Sequence, residues 1–430
     1  MRPPWRVVLA LAIIGGGPSV GHAQPQTLTA EVTVDELVAR ALAESPDVLA
    51  ARADADAAKG RLVQAGLRPN PTVELGGQKA LGTDNNVMVG LSIPLDLNRR
   101  KEGRVGVAER EVEMKRFQVT DRERRLRADV RMKAAEVLAA RRDLEVTDDL
   151  LRRNREALNL VGERARRGAV PPLEENLLLV EVNRLDAGRR MLESRVEVLT
   201  LQLKALTAWP AEAPLTLTGD LGGPPPPTID RQAAVAQALA QRADLRAAQA
   251  DAAMARAKIA KEQAEGRWDA SFSVNYQRQD FGFAGLSGLT DRGGTRPIQD
   301  VFHYFGGALT ITLPVRNQNQ GNVAAARAEA AAAERRIELT VLTVRQEIQA
   351  AFTQYEATQR SLEIYARGVR DVARQNLDVV RQTYQLGRGT LLDVITEQRR
   401  YIDIEMGYTD ALKQVYNAAI EIERAAGTAR

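Results

Sequence analysis

The sequence contains no cysteine and few aromatic residues. None of its 430 residues is Cys, and only 4% are Phe, Trp or Tyr. The lack of thiols excludes a disulfide framework, a thiolate metal site and a lipid anchor near the N-terminus. Few aromatic residues together with 27% charged residues are typical of long helices rather than of thick globular cores. We therefore expect a thin, elongated core.

Histidine is scarce, and the two signs of charge nearly balance. The histidines are His22 and His303 alone, so we predict no metal site, no catalytic group and no cofactor. The 60 basic residues are interspersed with 56 acidic ones, which is typical of a solvated helix surface and not of a nucleic-acid footprint. The composition argues against an enzyme and against a nucleic-acid-binding protein.

An apolar run near the N-terminus is too short to span a membrane as a helix. It covers residues 7–14, follows two arginines, and precedes small residues that end at Ala23. Because a membrane-spanning helix needs about 20 apolar residues, this layout predicts a secretory signal peptide over residues 1–23. We expect an exported protein, and the missing disulfides favour the periplasm or outer membrane of a Gram-negative bacterium.

The chain contains one internal repeat. The segment VARALAESPDVLAARADADAAKGRL, residues 38–62, matches VAQALAQRADLRAAQADAAMARAKI, residues 235–259, at an offset of 197. The offset is 220 at Pro94 and Pro314, and 218 to 219 in the long helices that follow. We predict two structural repeats, residues 24–218 and 231–430, joined by a proline-rich linker at residues 219–230.

Each repeat contains two strand-like segments followed by a long helix-like segment. Apolar and polar residues alternate along the strands, and Pro94 and Pro314 mark the junctions with the helices, because proline cannot donate to a strand ladder. We predict hairpin loops at residues 79–86 and 278–301, on the opposite side of the membrane from the junctions. The side chains expected to face lipid include Trp268, Phe272, Phe305 and Leu309.

The helical segments carry a seven-residue rhythm. Its phase shifts by four residues from Leu126 to Val130, and likewise from Val344 to Ile348 in the second repeat. Such a shift locally unwinds a coiled coil. In the second repeat the rhythm is expected to continue at the following positions: Tyr355, Leu362 and Val369.

Four strands cannot close a barrel alone. Open sheet edges in lipid leave backbone groups unsatisfied, at several kcal/mol each, and the smallest single-chain membrane barrels have about eight strands. We therefore predict a mainly α fold with a membrane β-barrel portion, in which three chains supply a twelve-stranded barrel and their coiled coils form an α-barrel. The alternative is a periplasmic coiled-coil adaptor or scaffold without a pore, which needs no lipid-facing strands.

The chain resembles the TolC-type outer-membrane efflux channels over essentially its whole mature length. The likeness lies in the duplication, in the junctions IPLDLNRRKEG and LPVRNQNQG, and in the turns ARRGAVPPLEENLLL and YQLGRGTLLDVITEQ. It implies a homotrimer in the outer membrane whose partners are a periplasmic adaptor protein, an inner-membrane pump and lipid. The junction turns are most similar to the heavy-metal efflux branch, so the expected cargo is metal ions or small molecules.

The turns between the long helices form the candidate functional site. Gly168 and Gly387 suit a left-handed helix cap, and acidic residues, Glu174 and Asp393, open the helices that follow, 219 residues apart. Charge matching at a helix N-terminus, worth roughly 0.3 to 1 kcal/mol, explains these acids as well. The residues alone leave both interpretations open.

The resemblance implies that these turns close the channel. Family members constrict the periplasmic end with acidic rings, so Glu174 and Asp393 of three chains would bring carboxylates together around one axis, where like charges raise one another's pKa. Tyr384 matches a tyrosine that helps close the gate in some members. At two other gate positions, an arginine and a second acid of the family are replaced here by Gly389 and Thr396.

The same turns resemble the tips that adaptor hairpins grip. Arg388 lies next to Gly389 and is the candidate substitute for the missing gate arginine. The docking residues that the resemblance implies are Gly168, Ala169, Gly387 and Arg388.

Overall fold

The computed structural model describes residues 31–80, 84–222 and 229–428. The predicted signal peptide and the four consecutive prolines of the predicted linker lie outside the described residues. Within the described ranges, none of the helices combines the length and the apolar character that crossing a bilayer requires.

The first half of the chain contains two short helices, a strand hairpin and two long helices. A short strand β1 (Glu31–Val32) comes first. The other elements are α1 (Val34–Glu44), α2 (Pro46–Ala65), β2 (Thr72–Lys79), β3 (Asn85–Pro94), α3 (Arg100–Arg166) and α4 (Pro172–Leu206).

The second half repeats this order after a short strand, β4 (Thr216–Leu217), which pairs with β1. One long helix of the first half corresponds here to two helices separated by a π-helical turn. The elements are α5 (Arg231–Gln241), α6 (Ala243–Glu265), β5 (Asp269–Leu289), β6 (Thr295–Thr312), α7 (Gln320–Ile364), the π turn (Tyr365–Val369), α8 (Arg370–Gln385) and α9 (Leu391–Ala426).

Four strands form one antiparallel sheet in the order β2, β3, β5, β6. Register places Leu91 opposite Val73 and Val274, and Phe272 opposite Leu309, on one face of the sheet. Apolar side chains cover that face and are exposed: Val73, Leu75, Val87, Val89, Leu91, Ile93, Phe272, Val274, Phe305, Leu309 and Ile311. Because successive side chains alternate, the other face carries polar residues: Asn86, Ser92, Ser271, Ser273, Asn275, Gln277 and Thr310.

The second hairpin is longer than predicted. β5 and β6 extend to Leu289 and Thr295, so the predicted loop at residues 278–301 is wrong, and residues 290–294 join the strands. Glycines weaken the strand pattern in this stretch, and the register shifts between Gly282 and Ser287. Because pairing of β3 with β5 ends at Asp280, the outer part of the hairpin extends beyond the four-stranded sheet.

Each half has its own apolar core beneath its first helix. α1 packs on a cluster that includes Leu126 and Val130, and α5 packs on one that includes Val344 and Ile348. The predicted phase shift in the helical rhythm is therefore confirmed, because all four residues are buried.

The π turn adds one residue to the second half. Before the turn, buried residues correspond at an offset of 218, as Val137 does to Tyr355. After the turn, buried residues correspond at an offset of 219, as Asn154 does to Ala373. A π turn is the usual way in which a helix accommodates a single inserted residue.

The inserted residue changes which side chain enters the helix contact. The predicted heptad position at Val369 falls on the last residue of the π turn, and at the offset of 219 that holds after the turn Arg370 corresponds to Leu151. Arg370 donates from Nε to the buried carboxylate of Glu405 at 2.7 Å, and its guanidinium lies 4.8 Å from the ring centre of Tyr408. A charged contact between α8 and α9 thus replaces an apolar one.

The π turn makes two equivalent glycines respond differently to substitution. A Cβ at Gly407 would lie 2.7 Å from the hydroxyl of Tyr365, whereas one at Gly188, its equivalent in α4, would meet nothing within 4 Å. We expect Gly407→Ala to lower the melting temperature, because overpacking costs about 1–3 kcal/mol. Gly188→Ala should raise the melting temperature, because alanine is favoured over glycine within a helix by up to about 1 kcal/mol. Circular dichroism melts test this, and equal shifts would contradict it.

One carboxyl group is half-buried among three helices. Asp143 of α3 lies near Arg195 of α4 and near Asp410 and Lys413 of α9. Its Oδ1 atom has no hydrogen-bond partner among the described residues. Burial raises the pKa of Asp143 to about 6, and the hydroxyl of Thr409 together with the two cations offsets this only in part.

This carboxyl group should make stability depend on pH. The native state binds the Asp143 proton more tightly than the unfolded chain does, so its contribution to stability should rise as pH falls from about 6 towards 3.8. Asp143→Asn should raise the melting temperature near neutral pH and remove that rise. Asp410→Asn is the control. Burial acts to raise the pKa of Asp410, but Lys413 lowers it, so this variant should lose stability instead. Melts at several pH values would contradict the assignment if both variants behaved alike.

Candidate functional site

Both turns between the long helices end in a left-handed glycine, as predicted. Gly168 has φ 73° and Gly387 has φ 70°. The amides of Ala169 and Arg388 donate to carbonyls five residues earlier, at 2.8 and 2.9 Å. These are the hydrogen bonds of a Schellman motif. All four residues are exposed at the tips of the helical hairpins.

Tyr384 and Glu174 join the two hairpins near their tips. The Tyr384 hydroxyl donates to Oε2 of Glu174 at 2.7 Å, which links α8 to α4. Burial, together with this hydrogen bond, raises the pKa of Tyr384 to about 12. The phenol therefore keeps its proton at physiological pH and remains a donor. An apolar cluster beside it contains Val161, Leu178, Leu391 and Ile395.

Asp393 has a different environment from Glu174. Its carboxylate accepts from the hydroxyl and amide of Thr390, at 2.6 and 3.0 Å, and the Thr390 hydroxyl accepts from the Asp393 amide. These bonds form a capping box, and they lower the pKa of Asp393. Asp393 is exposed, whereas Glu174 is half-buried. Within one chain the structure therefore pairs Tyr384 with Glu174, and it uses Asp393 to begin α9.

The positions that depart from the family pattern have local roles. A Cβ at Gly389 would lie 3.3 Å from the methyl group of Thr383. Thr396 donates its hydroxyl to the carbonyl of Leu392 at 2.8 Å, which is a contact within α9. The side chain of Arg388 is exposed.

Two further features at this end were not predicted. Glu181 is fully buried and bonded to Arg184 and Arg399. Leu173 and Leu392 are 65% and 57% exposed in the first turns of α4 and α9. The leucines could have been found from the sequence, since they are repeat equivalents at the offset of 219. The burial of Glu181 depends on tertiary packing, and no local sequence pattern predicts it.

The apolar face of the sheet has aromatic residues towards both ends. Trp268 lies one residue before β5, and Tyr276 lies opposite Phe305. The eight residue-to-residue steps from Trp268 to Tyr276 span about 26 Å along a strand, or about 20 Å after a typical tilt. Outer-membrane barrels carry an apolar band of about 25 Å between aromatic girdles. The dimensions of this face fit such a band.

The junction prolines lie at the opposite end of the sheet from the hairpin turns. Pro94 is the last residue of β3, and Pro314 lies two residues after β6. The residues that begin α3 and α7 follow closely, and the residue before each helix, Arg99 or Asn319, has a left-handed conformation. The junctions of both repeats therefore share one backbone geometry.

Known proteins share this architecture along nearly the whole chain. The cobalt-zinc-cadmium resistance protein CzcC of Cupriavidus metallidurans is 22% identical over 428 residues, covering 97% of this chain and 95% of CzcC. The crystal structure of CusC is similar with a TM-score of 0.74 at 15% identity, over 91% of each chain. The open-state MtrE channel of Neisseria gonorrhoeae is similar with a TM-score of 0.72 at 19% identity, over 92% of this chain and 88% of MtrE.

The outer membrane efflux protein family matches residues 37–210 and 234–428, which together make up most of the chain. This match agrees with the long helical hairpins and the four-stranded sheet, and it favours a channel over a periplasmic adaptor or scaffold without a pore. The family is one of channels, not of enzymes. The chain belongs to the outer membrane efflux protein family, and it is an efflux channel of the Gram-negative outer membrane that extends into the periplasm.

Proposed function

We propose that three copies of the chain close one twelve-stranded barrel and export divalent metal cations. The observation that carries the trimer is the sheet itself, in which β2 and β6 each pair on one side only within the described residues. Backbone groups at such edges are costly in lipid. The exposed apolar face, with Trp268, Phe272, Phe305 and Leu309, then faces the membrane. Pro94 and Pro314 mark the periplasmic end of the barrel.

The cargo assignment rests on the relative CzcC, whose name describes cobalt, zinc and cadmium resistance. In this proposal the chain performs no catalytic step. An inner-membrane pump supplies the energy, and a periplasmic adaptor connects the pump to the helical tips. The adaptor would contact the exposed residues of both turns: Gly168, Ala169, Leu173, Gly387, Arg388 and Leu392.

We propose that Glu174, Tyr384 and Asp393 form the gate at the periplasmic end. The hydrogen bond between Tyr384 and Glu174 supports this, because it joins the two hairpins of one chain near their tips. Asp393 lies exposed at the start of α9, where three copies would bring negative charge to the axis. Such a ring attracts cations and repels anions.

Deletion of the gene should sensitise the host to cobalt, zinc or cadmium. The expected result is a lower inhibitory concentration of at least one of these ions, restored by the wild-type gene on a plasmid. Inhibitory concentrations of dyes and detergents serve as the comparison, since a metal channel should leave them nearly unchanged. Sensitivity to organic compounds alone would contradict metal export and favour small-molecule cargo.

Replacing Glu174 and Asp393 by alanine should raise the conductance of the purified trimer in planar bilayers. The Tyr384 hydroxyl loses its acceptor, and the axis loses negative charge. Asp393→Asn is a matched variant, because an amide oxygen can still accept in the capping box while the charge is gone. Thr390→Ala weakens the cap by about 1 kcal/mol but leaves the carboxylate. Unchanged conductance and cation preference in all variants would refute the gate assignment.

A further inference from the structure

We propose that Glu181, Arg184 and Arg399, together called the Glu181 cluster, hold the two helical hairpins of one chain together at the periplasmic end. Glu181 lies on α4 in the first repeat, and Arg399 lies on α9 in the second. The cluster is separate from the contact between Glu174 and Tyr384, two helical turns farther from the tip. Its residues are positioning residues, because they set how the gate residues are placed.

The carboxylate of Glu181 is surrounded by two guanidinium groups. Its side chain is 0% exposed. Arg184 donates from Nη2 at 2.6 Å and from Nε at 3.1 Å, and Arg399 donates from Nη2 at 2.7 Å and from Nε at 3.1 Å. Burial alone would raise the pKa of Glu181, but these hydrogen bonds outweigh it and lower the pKa. The carboxylate is therefore ionised at neutral pH.

Apolar packing on both sides buries the carboxylate of Glu181, whereas the side chains of Arg184 and Arg399 are about half exposed. Along α4, Glu181 lies between Leu178 and Leu185, and along α9, Arg399 lies between Ile395 and Ile402. Separating α4 from α9 here would break the hydrogen bonds from Arg399 to Glu181 and would expose the apolar side chains on both sides to water. The cluster thus opposes separation of the two hairpins.

Among the described residues, Arg399 is the one of the two arginines that is hydrogen-bonded across the hairpins, whereas Arg184 meets α9 through the charge of Asp403. Arg184 follows Glu181 by three residues on α4, so its ion pair is local. Arg399 comes from the other repeat, so its ion pair crosses from α4 to α9. The two arginines therefore form a natural pair for comparison, with the same acceptor and different connections.

The internal repeat does not reproduce the cluster. At the offset of 219, Glu181 corresponds to Arg400, and Arg399 corresponds to Val180. In the proposed trimer, α9 of one chain would lie beside α4 of the next. The positions equivalent to Glu181 and Arg399 in that contact are Arg400 of one chain and Val180 of the next. That contact lacks the ion pair. The ion pair between Glu181 and Arg399 therefore joins the two hairpins of one chain and has no equivalent at the corresponding positions between adjacent chains.

The consequence for opening rests on the proposed channel function, whereas the geometric claim can be tested without it. The chain has no cysteine, so spin labels can be placed at Leu173→Cys and Leu392→Cys, which are exposed at the two tips. Mixing labelled with excess unlabelled protein before assembly isolates the distance within one chain. Pulsed electron spin resonance then measures the distance distribution between the tips.

The test compares Arg399→Gln with Arg184→Gln. We expect Arg399→Gln to broaden the distribution and shift it to longer distances, and Arg184→Gln to leave it close to that of the parent. Arg399→Lys, which retains the charge, should restore part of the narrow distribution. Melting temperatures show whether both glutamine variants remain folded.

Equal distributions in the two glutamine variants would overturn the proposal, as would a change in Arg184→Gln alone. Conductance separates this outcome from failure of the channel function. If the chain forms no pore, conductance is absent in every variant while the distances still report the cluster. If the pore exists, Arg399→Gln should conduct more than Arg184→Gln.

Discussion

Unpaired backbone groups at the edges of a sheet are the constraint on which this structure depends. The described chain supplies four strands whose outer members, β2 and β6, each have one free edge. In lipid those edges need partners, and copies of the same chain can provide them. The apolar face, the prolines at the junctions and the long helices all serve this arrangement. Outside the membrane the wall of the channel is in contact with water, and amphipathic helices form the wall there.

Much of the architecture could be predicted because it is encoded locally and twice. The repeat placed strands and helices in order, the heptad positions Leu126 and Val344 are buried, and Gly168 and Gly387 have the left-handed conformation expected of helix caps. Each of these signals depends on a few neighbouring residues. The capping box of Asp393 has the same origin, since Thr390 precedes it by three residues.

The features that sequence reasoning missed depend on contacts between distant segments. Glycines obscured the outer part of β5 and β6, whose pairing is with each other rather than with β3. Glu181 looks like any surface glutamate of a charged helix until α9 brings Arg399 to it. At the candidate site, the family resemblance implied that Tyr384 and Glu174 both belong to the gate, but not that they bond to each other, because 210 residues separate the two in the chain.

The π turn at Tyr365–Val369 has a mechanical consequence. It absorbs one extra residue, so the two tips of the chain keep matching shapes even though the halves differ in length. The wider loop of backbone hydrogen bonds in a π turn is less regular than the α-helix around it. Only the second hairpin contains one within the described residues. The two arms of a protomer therefore differ in backbone hydrogen bonding at this level, and the second arm departs there from the regular α-helix.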